Sequence, residues 1–143
     1  MAKTINLVKL CVGIDSVEHL ETFRERIKNQ GGPTPPRHVT RMWPRREAEL
    51  LNGGSIYWVI KGIIQARQTV LQLDEVIGED GIRRCGIVMA PEIIRTQAAT
   101  RRPFQGWRYL EPIDSPADLA KGASQQDDLP PELMTALAEI GVR

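Results

Sequence analysis

Two short segments of this sequence interleave arginine with aromatic residues, a combination that can bind phosphate groups and bases. The segments span residues 41–46 and 101–109. Guanidinium groups hold phosphates through paired hydrogen bonds, and exposed aromatic rings give unpaired bases a surface on which to stack. Together with an arginine at position 67, they predict a cleft for RNA or a nucleotide. Its candidate residues are Arg41, Trp43, Arg45, Arg46, Arg67, Arg101, Arg102, Gln105, Trp107 and Arg108.

The charge distribution supports this reading more than the total charge does, since the 143 residues sum to only +1. Residues 37–67 hold six Lys or Arg and two acids, and residues 95–109 hold four Arg and no acid. Residues 110–132 carry six acids and one Lys. A basic middle is typical of an anion-binding face. A structural alternative stays open, in which Trp43, Trp58 and Trp107 fill the core and the arginines pair with the acidic end.

Other reactive residue types are present without the neighbours that catalysis needs. The two cysteines, Cys11 and Cys85, lie in separate apolar runs with no Cys/His cluster, which predicts buried free thiols and no metal site. His38 lacks a partnering nucleophile. Ser55 follows two glycines but does not form the Gly-x-Ser-x-Gly elbow of hydrolases. No cofactor is predicted, because the glycine pairs match no phosphate-binding or dinucleotide fingerprint.

The elements that would position these residues follow from hydrophobic periodicity. Residues 4–13 predict a strand, and Asp15 is predicted to cap a helix whose inner face is Val17, Leu20, Phe23 and Ile27. A short strand over 37–42 and a helix after Pro44 come next. Residues 55–61 alternate as a strand, and Gly62 is predicted to mark a bulge or bend. A long curled strand over 63–77, a tight turn at 78–81 and a strand over 82–89 complete a meander.

The rest of the chain is predicted to be less regular. Residues 92–99 predict irregular chain or one helical turn, and the aromatic segment 101–110 predicts a loop running into a last strand. Residues 1–120 would then form a single domain, and 121–143 a polar linker and an amphipathic C-terminal helix. The N-terminus lacks the features of a signal peptide, and no apolar run reaches membrane-spanning length, which predicts a cytoplasmic protein.

The order of elements resembles the small β-barrels of the PUA, ASCH and EVE-like superfamily. The likeness rests on the segments 47–54, 55–62, 63–76 and 104–110. It implies an α+β fold, namely a small open β-barrel of five to six mainly antiparallel strands with flanking short helices. The phrases at 43–46, 54–62 and 102–109 also resemble a family of small bacterial proteins classed as a domain of unknown function. That family brings no activity with it.

The sequence is compatible with three functions. The leading one is non-catalytic binding of RNA or a nucleotide by the arginine and aromatic residues. The second is protein interaction or self-association, with a homo-oligomer formed through the C-terminal helix. The third is hydrolysis of modified nucleosides, which the resemblance to ASCH-like amidohydrolases implies and which would use Lys61 with Glu47 or Glu75.

Overall fold

A computed structural model describes residues 3–32, 35–102 and 104–119. Within them the fold is α+β and its sheet is mainly antiparallel, which confirms the predicted class. In chain order the elements are β1 (Asn6–Leu10), α1 (Val17–Asn29), β2 (Arg37–Thr40), α2 (Glu47–Leu50), β3 (Ser55–Ile60), β4 (Ile63–Ile77), β5 (Arg83–Met89), β6 (Ile94–Thr100), β7 (Trp107–Leu110) and a 3-10 turn at Pro112–Asp114.

The seven strands form one unclosed sheet in the order β2-β5-β4-β3-β1-β7, with β6 also paired to β4. Among the described strands only β1 and β3 pair in parallel, and the chain between them contains α1 and α2. The prediction of five to six strands is wrong. The additional strand is β6, in a stretch predicted to be irregular, and it forms because an edge of β4 is available for pairing. The sheet is not a closed barrel, since β2 and β7 end it without pairing to each other.

The long strand β4 is the element on which the sheet is built, and its predicted span over 63–77 is confirmed. One edge pairs with β3, while the other pairs first with β6 and then with β5. Two extra residues on β4 interrupt its ladders, because the register skips Gln65 opposite β3 and Leu71 opposite β5. Opposite β6 the extra residues lie on β6 itself, where 96–98 separate the partners of Ile64 and Ala66. Such bulges bend a strand and increase its twist. They give β4 the curl that its changing side-chain pattern predicted.

The turn between β3 and β4 consists of Lys61 and Gly62, both with positive φ (54° and 78°). This is a two-residue hairpin turn, so of the predicted bulge or bend at Gly62 the chain makes the bend. Gly62 adopts the left-handed region freely, whereas Lys61 is the one described non-glycine residue there. A positive φ is unfavourable for lysine, and an ion pair of Lys61 with Asp15, at 3.3 Å, offsets part of that conformational cost.

Replacing Lys61 with asparagine is expected to stabilise the protein. Asn-Gly is the favoured pair for this turn because Asn tolerates positive φ better than Lys. We expect the free energy of unfolding to rise by about 0.5 kcal/mol, since loss of an exposed ion pair costs little. Denaturant unfolding monitored by circular dichroism would measure it. Lys61→Ala is the matched control, because it also loses the ion pair but keeps the strained turn; equal stabilities of the two variants would contradict this account.

The core lies mainly on the face of the sheet that α1 covers. Helix α1 begins after Ser16, whose side chain accepts a hydrogen bond from the His19 backbone N–H at 3.0 Å. The predicted cap at Asp15 is therefore wrong by one residue. The predicted inner face is confirmed for Val17 and Leu20, which are buried, and for Phe23, which packs against the same core. The last member, Ile27, is only partly buried.

Strand β3 is buried on both sides, which explains why all six of its residues are inaccessible. Ile56, Trp58 and Ile60 belong to the core under α1, and Tyr57 and Val59 to a smaller cluster on the opposite face. The predicted alternation is confirmed.

The predicted linker and amphipathic helix at 121–143 lie outside the described residues. No helix in the described ranges is long and apolar enough to cross a membrane.

Candidate nucleic-acid interface

The two arginine and aromatic segments come together against strand β7. The Trp107 indole N–H donates to the Met42 carbonyl at 2.8 Å, and the Arg46 backbone N–H donates to the Tyr109 hydroxyl at 3.0 Å. Residues 42–46 therefore lie over the ring side chains of β7. The sequence distance between the segments is more than 60 residues, so only the folded sheet could establish this contact.

Arg46 and Arg67 are already bound by carboxylates of the protein itself. Arg46 donates to Glu49 at 2.7 and 2.9 Å and to Glu111 at 3.3 Å, and its guanidinium lies 5.4 Å from the Tyr109 ring centre. The Glu49 hydrogen bonds, followed by those of Glu111, raise the pKa of Arg46. Because these acids satisfy its donors, Arg46 has little free capacity for a phosphate.

Arg67, on β4, is held in a similar way. It makes two hydrogen bonds to Asp118, at 2.7 and 2.8 Å, and one to the Ser55 hydroxyl at 2.8 Å. Hydrogen bonding from Arg67 lowers the pKa of the Asp118 carboxyl. This fork joins β4 to the segment that follows the 3-10 turn, so its evident role is structural.

The tryptophans are mostly core residues. Trp107 is 4% exposed and packs edge-on against Tyr109, with ring centres 4.9 Å apart. Trp58 is 3% exposed and donates to the Gln68 amide oxygen at 3.0 Å. Trp43 is half-buried, donates to Glu47 at 3.3 Å and is covered by Arg83, whose guanidinium lies 4.3 Å from the ring centre. Of the three, Trp43 retains the most accessible ring surface.

Beside β7 lies an open groove of about 940 Å³, which we call the arginine groove. Its basic members are Arg101, Arg102 and Arg108, and its ring members are Phe104 and Tyr109, with Thr100 at the end of β6. Within the described ranges, no carboxylate lies at ion-pair distance from any of these three arginines. Arginines without acidic partners beside ring surfaces are what phosphate and base contacts require.

Hydrogen bonds to backbone carbonyl groups hold the arginine groove in place on both sides. The Arg101 N–H donates to the Gly62 carbonyl at 2.8 Å, which anchors the chain after β6 to the β3–β4 turn. Arg108 lies 5.5 Å from the Phe104 ring centre and donates to the carbonyls of Gln105 and Trp107 at 2.8 and 3.0 Å. Arg108 therefore shapes the loop, while Arg101 and Arg102 are the freer cations.

Most of the sequence matches a known protein family. A family model described as "Protein of unknown function (DUF1489)" matches residues 7–143. The chain belongs to the DUF1489 family. No curated protein and no solved structure matches it. The family match confirms the predicted membership of a domain of unknown function, and it carries no activity.

The remaining predicted site residues of this DUF1489 protein are exposed but lie apart from the groove lining. Arg41, Arg45 and Gln105 are all exposed. In the described part of the chain, neither of these two arginines makes an ion pair.

The lysine and the two acids considered for a hydrolase each contact another residue. Lys61 pairs with Asp15, Glu47 accepts from Trp43, and Glu75 pairs with Arg83 at 2.6 Å. Glu75 also lies twelve residues along β4 from its start, which is about 40 Å of extended strand. The DUF1489 fold thus gives each of these groups a different partner.

A second polar cluster, beneath α1, has no counterpart in the sequence predictions. Arg24 from α1 and His38 from β2 both lie against Trp58, at 5.7 and 5.9 Å from its ring centre. The Arg24 Nε and His38 Nε2 atoms are buried without a hydrogen-bond partner. Alternation along β2 would have placed His38 inward, but nothing in the sequence indicated that α1 would bring an arginine to the same ring.

His38 should make this DUF1489 protein sensitive to mild acid. Burial, followed by the charges of Lys9 and Arg24, lowers its pKa to about 4. The unfolded chain, with an ordinary pKa near 6.5, binds the proton first, so stability is lost as pH falls from about 6.5 to 4. When the pH falls from 7 to 4.5, we expect the free energy of unfolding of His38→Phe to decrease by about 2 kcal/mol less than that of the wild type. Urea unfolding at both pH values tests this, and parallel losses would contradict it.

The thiols and carboxylates offer neither a nucleophile nor a metal site within the described ranges. Burial raises the pKa of Cys11 and of Cys85 to about 11, so both stay protonated at neutral pH. Both are free cysteines, as predicted. No group of three or more His, Cys, Asp or Glu side chains lies close enough to hold a metal ion in the part of the chain that the structure describes.

Proposed function

We propose that the arginine groove binds single-stranded RNA or a nucleotide without catalysing a reaction. Arg101 and Arg102 would contact phosphates, and Phe104 and Tyr109 would give a base its stacking surface. Arg41, Arg45 and Trp43 would extend the contact for a longer strand. Trp107 and Arg46 would act indirectly, by holding the two segments together. The proposal includes the cytoplasmic location and bacterial origin that the sequence predicts.

The observation that carries the proposal is the difference among the arginines. Those of β4, β5 and β6 are neutralised by specific carboxylates, as in the pairs of Arg67 with Asp118, Arg84 with Asp80 and Arg95 with Glu18. Arg101 and Arg102 have no such partner in the described ranges and line an open groove with two rings. Unneutralised guanidinium groups in an open groove lined by two ring side chains favour a ligand that combines phosphate and base.

The PUA-like resemblance gives this proposal a fold-level analogy. It rests on the sequence segments 47–54, 55–62, 63–76 and 104–110, the first three of which contain α2, β3 and most of β4. An analogy of fold is weaker than an argument from a site, so the groove carries the proposal. Partnership with another copy through residues 121–143 stays a prediction, because that segment lies outside the described residues.

Replacing Arg101 and Arg102 with glutamine is expected to weaken binding of a short single-stranded RNA about tenfold at low salt. Loss of two phosphate contacts should also make the dependence of log affinity on log salt shallower by about 1.4. Fluorescence anisotropy of a labelled oligonucleotide across a salt series measures both quantities.

The matched control is a double variant with Arg84 and Arg95 replaced by glutamine. It removes the same charge, but from arginines that the protein already neutralises. We expect near-wild-type affinity from this control. Equal weakening by the two double variants would show that only net charge matters, and would remove the groove from the proposal.

A further inference from the structure

A separate pocket of about 260 Å³ opens between α1 and the chain flanking β2. Ile27 on the helix, Pro36 before β2, and Pro91 and Ile93 after β5 give it apolar walls. Pockets for drug-sized ligands begin at about 300 Å³, so this one suits a smaller molecule. It shares no lining residue with the arginine groove.

Three cations line this α1 pocket: Arg24, Lys28 and Arg37. In the described part of the chain, none of them lies within ion-pair distance of a carboxylate. Two acids share the lining, and Glu21 is engaged by Arg95 at 3.2 Å, which leaves Glu25 as the unpaired one. The side chains that line the pocket therefore carry a net positive charge.

Of these three cations, Arg24 is the one removed furthest from solvent, since Lys28 and Arg37 are exposed. Its guanidinium stacks over the buried Trp58 ring, and its Nε atom is buried without a hydrogen-bond partner. Burial lowers the pKa of Arg24, which reflects a charged group removed from water and not compensated by an acid. A buried charge costs free energy unless it is paired, and a ligand carboxylate would pair it.

We propose that the α1 pocket binds a small organic acid, whose carboxylate is held by Arg24 and whose short apolar body lies against Ile27 and Ile93. Lys28 and Arg37 add positive potential at the mouth. Glu25 opposes an anion, so it limits affinity. This site is independent of the arginine groove and of any nucleic acid.

Sodium hexanoate is a suitable probe, because it joins one carboxylate to a short apolar chain. Titration of the ¹⁵N-labelled full chain is expected to shift the side-chain Nε–H resonance of Arg24, with a Kd on the order of 1 mM, typical of so small a ligand. Hexanamide, of the same shape and without charge, should bind at least tenfold more weakly. Inorganic phosphate should also bind at least tenfold more weakly, because it lacks the apolar body.

Two variants test the assignment in opposite directions. Arg24→Met keeps an apolar stem over Trp58 and should weaken hexanoate binding at least tenfold, whereas Glu25→Gln should strengthen it several-fold. If Arg24→Met does not fold, the Glu25→Gln result and the two control ligands still decide.

Several results would overturn the proposal. These are the absence of hexanoate shifts in the wild type, unchanged affinity in folded Arg24→Met, no gain in Glu25→Gln, or equal binding of hexanamide or phosphate. Shifts confined to residues 100–109 would also overturn it, and would assign the anion to the arginine groove.

Discussion

Replacing Trp58 with alanine is expected to lower the free energy of unfolding by about 3–5 kcal/mol. The ring is 3% exposed and lies in the core under α1. Its indole N–H donates to Gln68, whose amide in turn donates to the Ala90 carbonyl at 3.0 Å. Truncation would leave a large cavity and a buried amide oxygen without its donor, and both effects destabilise the fold.

Trp58→Phe separates these two effects. It keeps most of the ring volume but loses the indole donor, so we expect a smaller cost of about 1–3 kcal/mol. Guanidinium unfolding followed by far-ultraviolet circular dichroism would measure both variants. A loss below 1 kcal/mol for Trp58→Ala would contradict the placement of this ring in the core, and would reopen a surface role for it.

Replacing Gly54 with alanine is expected to cost about 3 kcal/mol or more. A Cβ atom at this position would collide with the backbone carbonyl oxygens of Ile5 and Leu50, which cannot move as a flexible side chain could. The Gly54 N–H also donates to the Leu50 carbonyl at 2.9 Å, so the chain is fixed on both sides. The close approach joins α2 to the start of β1 and to β3.

The neighbouring glycine supplies the control for that substitution. Gly53 has a φ of +85°, and a Cβ there would meet open space. Gly53→Ala should therefore cost only the left-handed strain, about 1–2 kcal/mol. Thermal unfolding of the two variants side by side tests the difference. A cost for Gly53→Ala equal to or above that for Gly54→Ala would contradict the packing described for this turn.

Much of the fold could be predicted from the sequence because its strongest patterns are local. The alternation in β3, the length of β4 and the inner face of α1 each follow from residues close together in the chain. Strand β6 could not be predicted in this way. Its sequence, Ile-Arg-Thr-Gln-Ala-Ala-Thr, has little apolar alternation, and it becomes a strand because β4 offers it an edge.

The candidate site was harder to predict, because the identity of an arginine does not reveal its partner. Arg46 and Arg102 look equivalent in sequence, each within an arginine doublet. In the fold, Glu49 and Glu111 neutralise Arg46, whereas Arg102 lines an open groove. Glu111 is 65 residues from Arg46, so only the pairing of β7 with β1 brings it there. Such contacts decide which charges stay available for a ligand.

The most direct test of nucleic-acid binding is the affinity of the wild-type protein for a short single-stranded RNA across a salt series. Fluorescence anisotropy should show binding that weakens with salt, with a slope of log affinity against log salt of about −1.4 to −2 for two or three phosphate contacts. Some affinity should persist at high salt through ring stacking, and Phe104→Ala should reduce it. The absence of binding at low salt would contradict the proposed function.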